Sequence, residues 1–169
     1  MNVLETDRLA LRKLSLDDAG FILELLNDPS FLRFIGDKNV RNLEDARQYI
    51  LKGPLESYQR LGFGLYLVAL KPTGVPLGIC GLIKRDALDD VDIGFAFLPE
   101  FRAQGYAFES AAAVRDYGLN VLGLGRLLAI TNPDNTGSIR VLEKIGLRFE
   151  RLIRLAPESS EIRLYTSDV

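Results

Sequence analysis

Apolar positions along this chain change their period several times, and each change predicts a new element. Leu9-Ala10-Leu11-Arg12-Lys13-Leu14 alternates as a half-buried strand does, and Ser15-Leu16-Asp17-Asp18 then supplies a helix cap with an acid three residues on. The helix that follows carries Phe21, Ile22, Leu25 and Leu26 on one face and stops at Asn27-Asp28-Pro29. A second helical region starts at Asn42 and runs through Ala46, Tyr49 and Ile50; Pro54 breaks it before a last turn around Tyr58 and Leu61. From Phe63 onward the period changes. Leu65 to Leu70 and Leu77 to Ile83 read as a hairpin about Pro72-Thr73-Gly74, and Val91 to Leu98 as a third strand. A helix from Gly105 to Leu119, a strand from Leu127 to Thr131, a helix from Thr136 to Ile145 closed by Gly146, and strands at Phe149 to Leu155 and Ile162 to Thr166 complete the order. Strands and helices mixed in this way, with no repeat or linker, predict one α/β (α+β) domain over residues 1–169 with helices packed on a single mixed sheet.

One stretch carries chemistry as well as structure. Asp92-Ile93-Gly94-Phe95-Ala96-Phe97-Leu98-Pro99-Glu100-Phe101-Arg102-Ala103-Gln104-Gly105-Tyr106-Ala107 is a strand, a short loop and a helix start. The first turn of a helix leaves backbone N–H groups unpaired and carries partial positive charge, so such a loop can hold a pyrophosphate without a basic surface. Gly105 and Ala107 let the amides approach a ligand closely. A plain strand-to-helix turn has the same Arg-x-x-Gly-x-Ala pattern, so the stretch gains meaning only from what accompanies it.

Composition narrows the classes. With 21 basic and 23 acidic residues among 169 the formal charge is −2, which gives no field for a nucleic-acid backbone. The N-terminus has no basic start followed by an apolar stretch, and no run of about 18 apolar residues occurs, so the expectation is a cytoplasmic protein that does not engage a membrane. There is no histidine and one cysteine, Cys80. No internal disulfide, zinc or haem site follows, no metal is expected, and histidine-activated nucleophiles are excluded. Cys80 lies in an apolar run and reads as a buried, inert thiol.

About 30 residues beyond the loop, Asn132-Pro133-Asp134-Asn135-Thr136-Gly137-Ser138-Ile139-Arg140-Val141-Leu142 places Asn135, Ser138 and Leu142 on one side of a helix. With this segment the order of elements resembles the GNAT superfamily of acyl-CoA-dependent N-acetyltransferases over nearly the whole chain. Leu4-Glu5-Thr6-Asp7-Arg8-Leu9 and Asn27-Asp28-Pro29 resemble its RimJ/RimL branch. The resemblance implies a mostly antiparallel mixed sheet whose central strands splay, with helices on both faces. It implies that main-chain amides of Arg102, Ala103, Gln104, Gly105, Tyr106, Ala107 and Phe108 hold the pyrophosphate of acetyl-CoA, a cosubstrate. Phe95, Ala96 and Phe97 would pair with the pantetheine arm, Asn135 would touch it, and Ser138 matches a serine near the thioester sulfur. Asn135 is equally a helix cap. Two positions depart from the branch: Arg102 stands where an aromatic residue is usual, and Phe108 where threonine is. The chain also ends soon after its last strand, which leaves the acceptor cleft open or completed by a partner subunit, as in a homodimer.

A thioester is already activated, so the enzyme need only position a neutral amine, stabilise the oxyanion and protonate the leaving thiolate. The amide of Phe97 or a neighbour is the candidate for the oxyanion. Ser138 is the preferred general acid and Tyr165 its rival; local backbone bonding and packing are the plain alternatives for these two. Asp92 is the candidate base, acting through water, unless Asp90 and Asp92 are a solvated strand end. An α-amine with a pKa of roughly 7.8 is about a third neutral near pH 7.5, whereas a lysine near 10.4 is neutral about one time in a thousand. A site without a strong base therefore matches a peptide or protein N-terminus as acceptor, with a small-molecule amine as the alternative. Phe31, Phe34 and Tyr58 either line that acceptor site or pack in the core. The reading from another class is a non-catalytic acyl-CoA-binding regulatory module; a dinucleotide oxidoreductase fails for want of Gly-x-Gly-x-x-Gly after the first strand.

Overall fold

The computed structural model describes residues 2–168. It opens with a short edge strand, β1 (Asn2–Glu5), antiparallel to β2 (Leu9–Lys13), on which alternation buries Leu9 and Leu11 completely. β1 lies outside the strands expected from the sequence, because four half-exposed residues carry too little apolar period to announce themselves. Ser15 then closes a capping box with Asp18, whose carboxylate also takes both ends of the Arg12 guanidinium at 2.9 and 2.8 Å. α1 (Ala19–Leu26) buries Ala19, Ile22, Leu25 and Leu26. The expected stop at Asn27-Asp28-Pro29 ends this helix and begins another. Asp28 Oδ2 accepts from the amides of Ser30 and Phe31 at 3.1 and 3.2 Å, and Pro29 sits where a missing N–H is harmless, so α2 (Pro29–Phe34) starts at once.

α3 (Leu43–Ile50) is capped by Asn42, as expected. The break expected at Pro54 does not occur. A π-helical turn over Leu51–Leu55 spreads the backbone where the ring would meet the preceding carbonyl. The rod continues through α4 (Glu56–Leu61) to Gly62 at φ 82°. β3 (Leu65–Leu70), β4 (Pro76–Ile83) and β5 (Asp92–Phe97) form an antiparallel meander. A Cβ at Gly78 on β4 would run into the Ala96 carbonyl, so only glycine lets β5 lie this close. α5 (Tyr106–Asp116) extends into a π turn at Tyr117–Val121, and β6 (Leu128–Thr131), α6 (Thr136–Lys144), β7 (Arg148–Ile153) and β8 (Ile162–Thr166) follow.

The eight strands make one sheet in the order β1-β2-β3-β4-β5-β6-β8-β7, antiparallel everywhere except between β5 and β6. On one face α1–α3 contribute Ile22, Leu25, Phe31, Ala46 and Ile50 to a core over Leu67, Ala69 and Ile79. On the other α5 and α6 contribute Ala111, Val114, Leu142 and Ile145 over Leu9, Leu11, Ile93 and Tyr165. The sheet with splayed central strands and helices on both faces is the expected one. Among the described residues no helix is long and apolar enough to cross a membrane.

Candidate active site

The parallel pair β5/β6 is joined at one place. Asp92 lies opposite Leu128, the Leu128 amide donates to the Val91 carbonyl at 2.9 Å, and beyond this the strands part. At the far end the Leu98 amide donates to Leu77 on the β4 side at 3.0 Å. Backbone groups of a strand alternate in direction, so those of Ala96 and Gly94 also face β4, and those of Phe95 and Phe97 face the gap. The Phe97 carbonyl is taken there by Arg102, Nε at 3.1 Å and Nη2 at 2.8 Å. The amides of Phe95 and Phe97 are left along an open edge with a ligand-sized space beside it.

The chain leaves β5 through a 3-10 turn at Pro99–Phe101, then passes Ala103 at φ 60° and Gly105 at φ 84° into α5. No side chain caps α5, so the amides of its first turn, Tyr106, Ala107 and Phe108, have no capping partner. One of the expected main-chain donors of the loop is otherwise occupied. The Arg102 amide donates to the Pro99 carbonyl at 3.2 Å, and its guanidinium reaches Asp28 Oδ2 at 2.7 Å and Ser30 Oγ at 3.0 Å as well as Phe97. This corrects Arg102 as a main-chain phosphate donor. Gln104 turns its side-chain amide onto the Glu100 carbonyl at 2.8 Å and lies outside the cavity described next.

The Thr6-Asp7-Arg8 segment braces the loop from behind. Glu109 on α5 accepts from the Thr6 hydroxyl, from the Arg8 amide at 3.0 Å and from Arg8 Nε at 2.7 Å. Arg8 Nη1 donates to the Gln104 carbonyl at 3.0 Å, and the guanidinium stacks 4.4 Å from the Tyr106 ring centre. Burial pulls the Glu109 pKa up, but the bonds from Thr6 and Arg8 outweigh it and the net shift is downward.

A cavity of about 520 Å³ joins these parts. Its lining includes Phe95, Ala96, Phe97, Arg102, Ala103, Gly105, Tyr106, Ala107 and Phe108 from β5, the loop and α5, with Asn135 and Ser138 from α6 and its cap. Asn135 Oδ1 accepts from the Ser138 amide at 3.2 Å, so Asn135 is the helix cap, while its Nδ2 remains as a donor. Sequence reasoning missed Arg140 and Lys144, exposed on α6, although they sit at helical spacing from Gly137 and Val141, which also line the cavity. Of the three aromatic residues read as acceptor wall or core, Phe31 and Phe34 line the cavity. Tyr58 does not. It is buried, stacks on Tyr66 with ring centres 5.7 Å apart, and its hydroxyl is bonded to Leu14 and Leu65.

The candidate proton carriers differ in place. Asp92 is 1% exposed and both its oxygens face Arg85 Nε, at 3.1 and 3.3 Å. It is therefore not a solvated strand end. Asp90 is closer to that description, since it forms a surface pair with Arg126 at 2.7 Å. Burial raises the Asp92 pKa to about 6, a shift that Arg85 only partly opposes. Ser138 lines the cavity half-buried. Tyr165 is fully buried, edge-on to Phe149 at 5.9 Å, and lies outside the cavity lining; its hydroxyl has no partner among the described residues. Cys80 is fully buried, which pushes its thiol up to about 12 and keeps it protonated.

Known proteins share this arrangement. The family described as "Acetyltransferase (GNAT) domain" matches residues 8–148. YkkB of Bacillus subtilis strain 168 is 32% identical over 154 residues, 89% of this chain and 88% of that one. A GNAT-family acetyltransferase from Bacillus anthracis superposes with a TM-score of 0.79 at 28% identity, covering 96% of each chain. RimL, a ribosomal-protein α-N-acetyltransferase solved with coenzyme A, shares the fold with a TM-score of 0.78 at 16% identity, over 99% of this chain and 100% of its own. A family match over most of the chain, joined to a splayed strand pair and an uncapped helix turn behind a braced glycine loop, makes this chain a member of the GNAT family, an acyl-CoA-dependent N-acetyltransferase.

Proposed function

We propose that the chain transfers an acetyl group from acetyl-CoA to the α-amine of a peptide or protein N-terminus, by direct attack within a ternary complex. The observation that carries this reading is the cavity itself, lined by uncapped amides and Ser138 and by no carboxylate among the described residues. A polyamine or aminoglycoside would find no counter-charge inside it. A single amine that is already partly neutral needs none.

In this reading the amides from Ala103 to Phe108, but not that of Arg102, hold the pyrophosphate, and Asn135 Nδ2 and the open edge at Phe95 and Phe97 hold the arm. An edge amide faces the thioester oxygen. The amine nitrogen attacks the carbonyl carbon, the C–S bond breaks, Ser138 gives a proton to the sulfur, the amine proton leaves through water to Asp92, and exchange with water then returns a proton from Asp92 to the Ser138 oxygen. Asp92 does not itself line the cavity, so the water reaches it along the strand face past Gly94, where a Cβ would stand 3.4 Å from Ile83 Cδ1. Tyr165 also lies outside the cavity lining, and its fully buried ring is packed edge-on to Phe149. RimL, which shares the fold, acts on a ribosomal-protein α-amine, and this agrees with the choice of acceptor.

The test compares kcat/KM for matched peptides offering either a free N-terminus or only a lysine side chain, from pH 6.5 to 9.5. The expected result is a clear preference for the N-terminal peptide at pH 7.5 that narrows as pH rises. A preference for the lysine peptide at pH 7.5 would refute the acceptor. Tight binding of acetyl-CoA with no release of CoA on any amine would favour the binding module instead.

A further inference from the structure

We infer that the α2 end of the cavity is the acceptor subsite, built for a primary amine carried next to an apolar or aromatic group; this rests on the transferase reading above. Phe31, Phe34, Ile35 and Phe101 form this end, with Ala96 on the strand side. Ile35 is 46% exposed, a large apolar side chain at the rim of a cavity. The polar groups here are already bonded to one another. Arg102 donates to Asp28 Oδ2 at 2.7 Å, to Ser30 Oγ at 3.0 Å and to the Phe97 carbonyl at 2.8 Å, and the same Asp28 oxygen caps α2. Among the described residues no carboxylate lines this end to meet a second amine beside the reacting one.

Arg102 stands in the phosphate loop, yet its charge is spent on Asp28. It is thus a positioning residue. It fastens α2, and with it Phe31 and Phe34, to the edge of β5 at the Phe97 carbonyl, so the apolar wall keeps a fixed distance from the strand that would carry the thioester. The remaining cations of the lining, Arg140 and Lys144, lie on α6 across the cavity. They further disfavour an acceptor with several positive charges.

The test uses the full chain, saturating acetyl-CoA and amidated peptides X-Gly-Gly with X as Phe, Leu, Ala, Asp or Lys, together with spermidine. CoA release should give Phe or Leu a kcat/KM at least about tenfold above Ala, the scale on which apolar pockets discriminate side chains, with spermidine lowest. Phe34→Ala, at a half-exposed position, should erase most of that preference while leaving the acetyl-CoA dissociation constant unchanged in calorimetry. Arg102→Ala should raise KM for the Phe peptide several-fold, with kcat and the acetyl-CoA dissociation constant near the parent values. A phosphate-binding Arg102 would instead weaken the coenzyme. Equal rates on Phe and Ala, faster turnover of spermidine, or an undiminished preference in Phe34→Ala would overturn the subsite while leaving the transferase intact. Bound acetyl-CoA with no turnover of any amine would overturn both.

Discussion

The two ends of β5 do different kinds of work. At its C-terminal end, recognition is made of backbone: amides on an open strand edge, a left-handed glycine and an uncapped helix turn. At its N-terminal end, where the strand is closed by its pairing with Leu128, one buried carboxylate stands against one arginine. Backbone donors survive side-chain changes, as at Phe108. A lone carboxylate does not survive replacement. Substitutions at the first end should therefore matter only where they move the backbone, and at the second wherever they change the acid.

The largest effect is expected at Gly105. Its φ of 84° strains any L side chain by about 1–2 kcal/mol, and a Cβ would sit 3.2 Å from Arg8 Nη2. Gly105→Val should weaken acetyl-CoA by about 100-fold or more in calorimetry, the scale of losing two hydrogen bonds to a charged group, while the circular-dichroism spectrum stays that of the parent.

Next comes Asp92. Asp92→Asn should lower kcat by about 100-fold, the low end for a lost general base, with acetyl-CoA affinity unchanged. In the parent, kcat should climb with pH through about 6 as the carboxylate forms, and in the variant that limb should vanish. The stability sign is the reverse of a surface carboxylate's. The native state holds this proton more tightly than the unfolded chain, so the contribution is full below about 3.8 and is lost as pH rises through about 6. Chemical denaturation from pH 4 to 7 checks this, because the variant should lack that component of the slope.

A smaller effect is expected behind the loop. Glu109→Gln keeps the shape but weakens three charge-assisted bonds to Thr6 and Arg8. Steady-state kinetics should show KM for acetyl-CoA raised several-fold with kcat nearly unchanged. The smallest belongs to Asn135→Ala, which removes a cap worth about 1 kcal/mol. If Nδ2 also holds the arm, the acetyl-CoA dissociation constant should rise a few-fold beyond the loss of melting temperature; an unchanged constant would leave Asn135 as a cap alone.

Much of this was legible in the sequence because it is local. Alternation, capping boxes and glycine positions reveal strands and helix ends, and they placed most of the sheet and the loop. β1 is too short to show a period, and Asp28-Pro29 has the form of a helix stop although Asp followed by Pro is also a helix start. Pro54 misled because a proline announces a break while the π turn that absorbs it leaves no mark in composition. What the sequence could not supply was pairing across distance: Arg102 with Asp28, Glu109 with Thr6 and Arg8, and Asp92 with Arg85. These decide which charges are free, and they removed Arg102 from the phosphate site and Asp92 from the surface.

The central claim, direct transfer to an amine in a ternary complex without a covalent enzyme intermediate, is tested most directly by an initial-rate matrix. Acetyl-CoA and an N-terminal peptide would be varied together, with the protein's mass followed after acetyl-CoA alone. The account predicts double-reciprocal lines that intersect and a protein that gains no acetyl group. Parallel lines, or an acetylated protein that passes its acetyl group to the peptide, would contradict it.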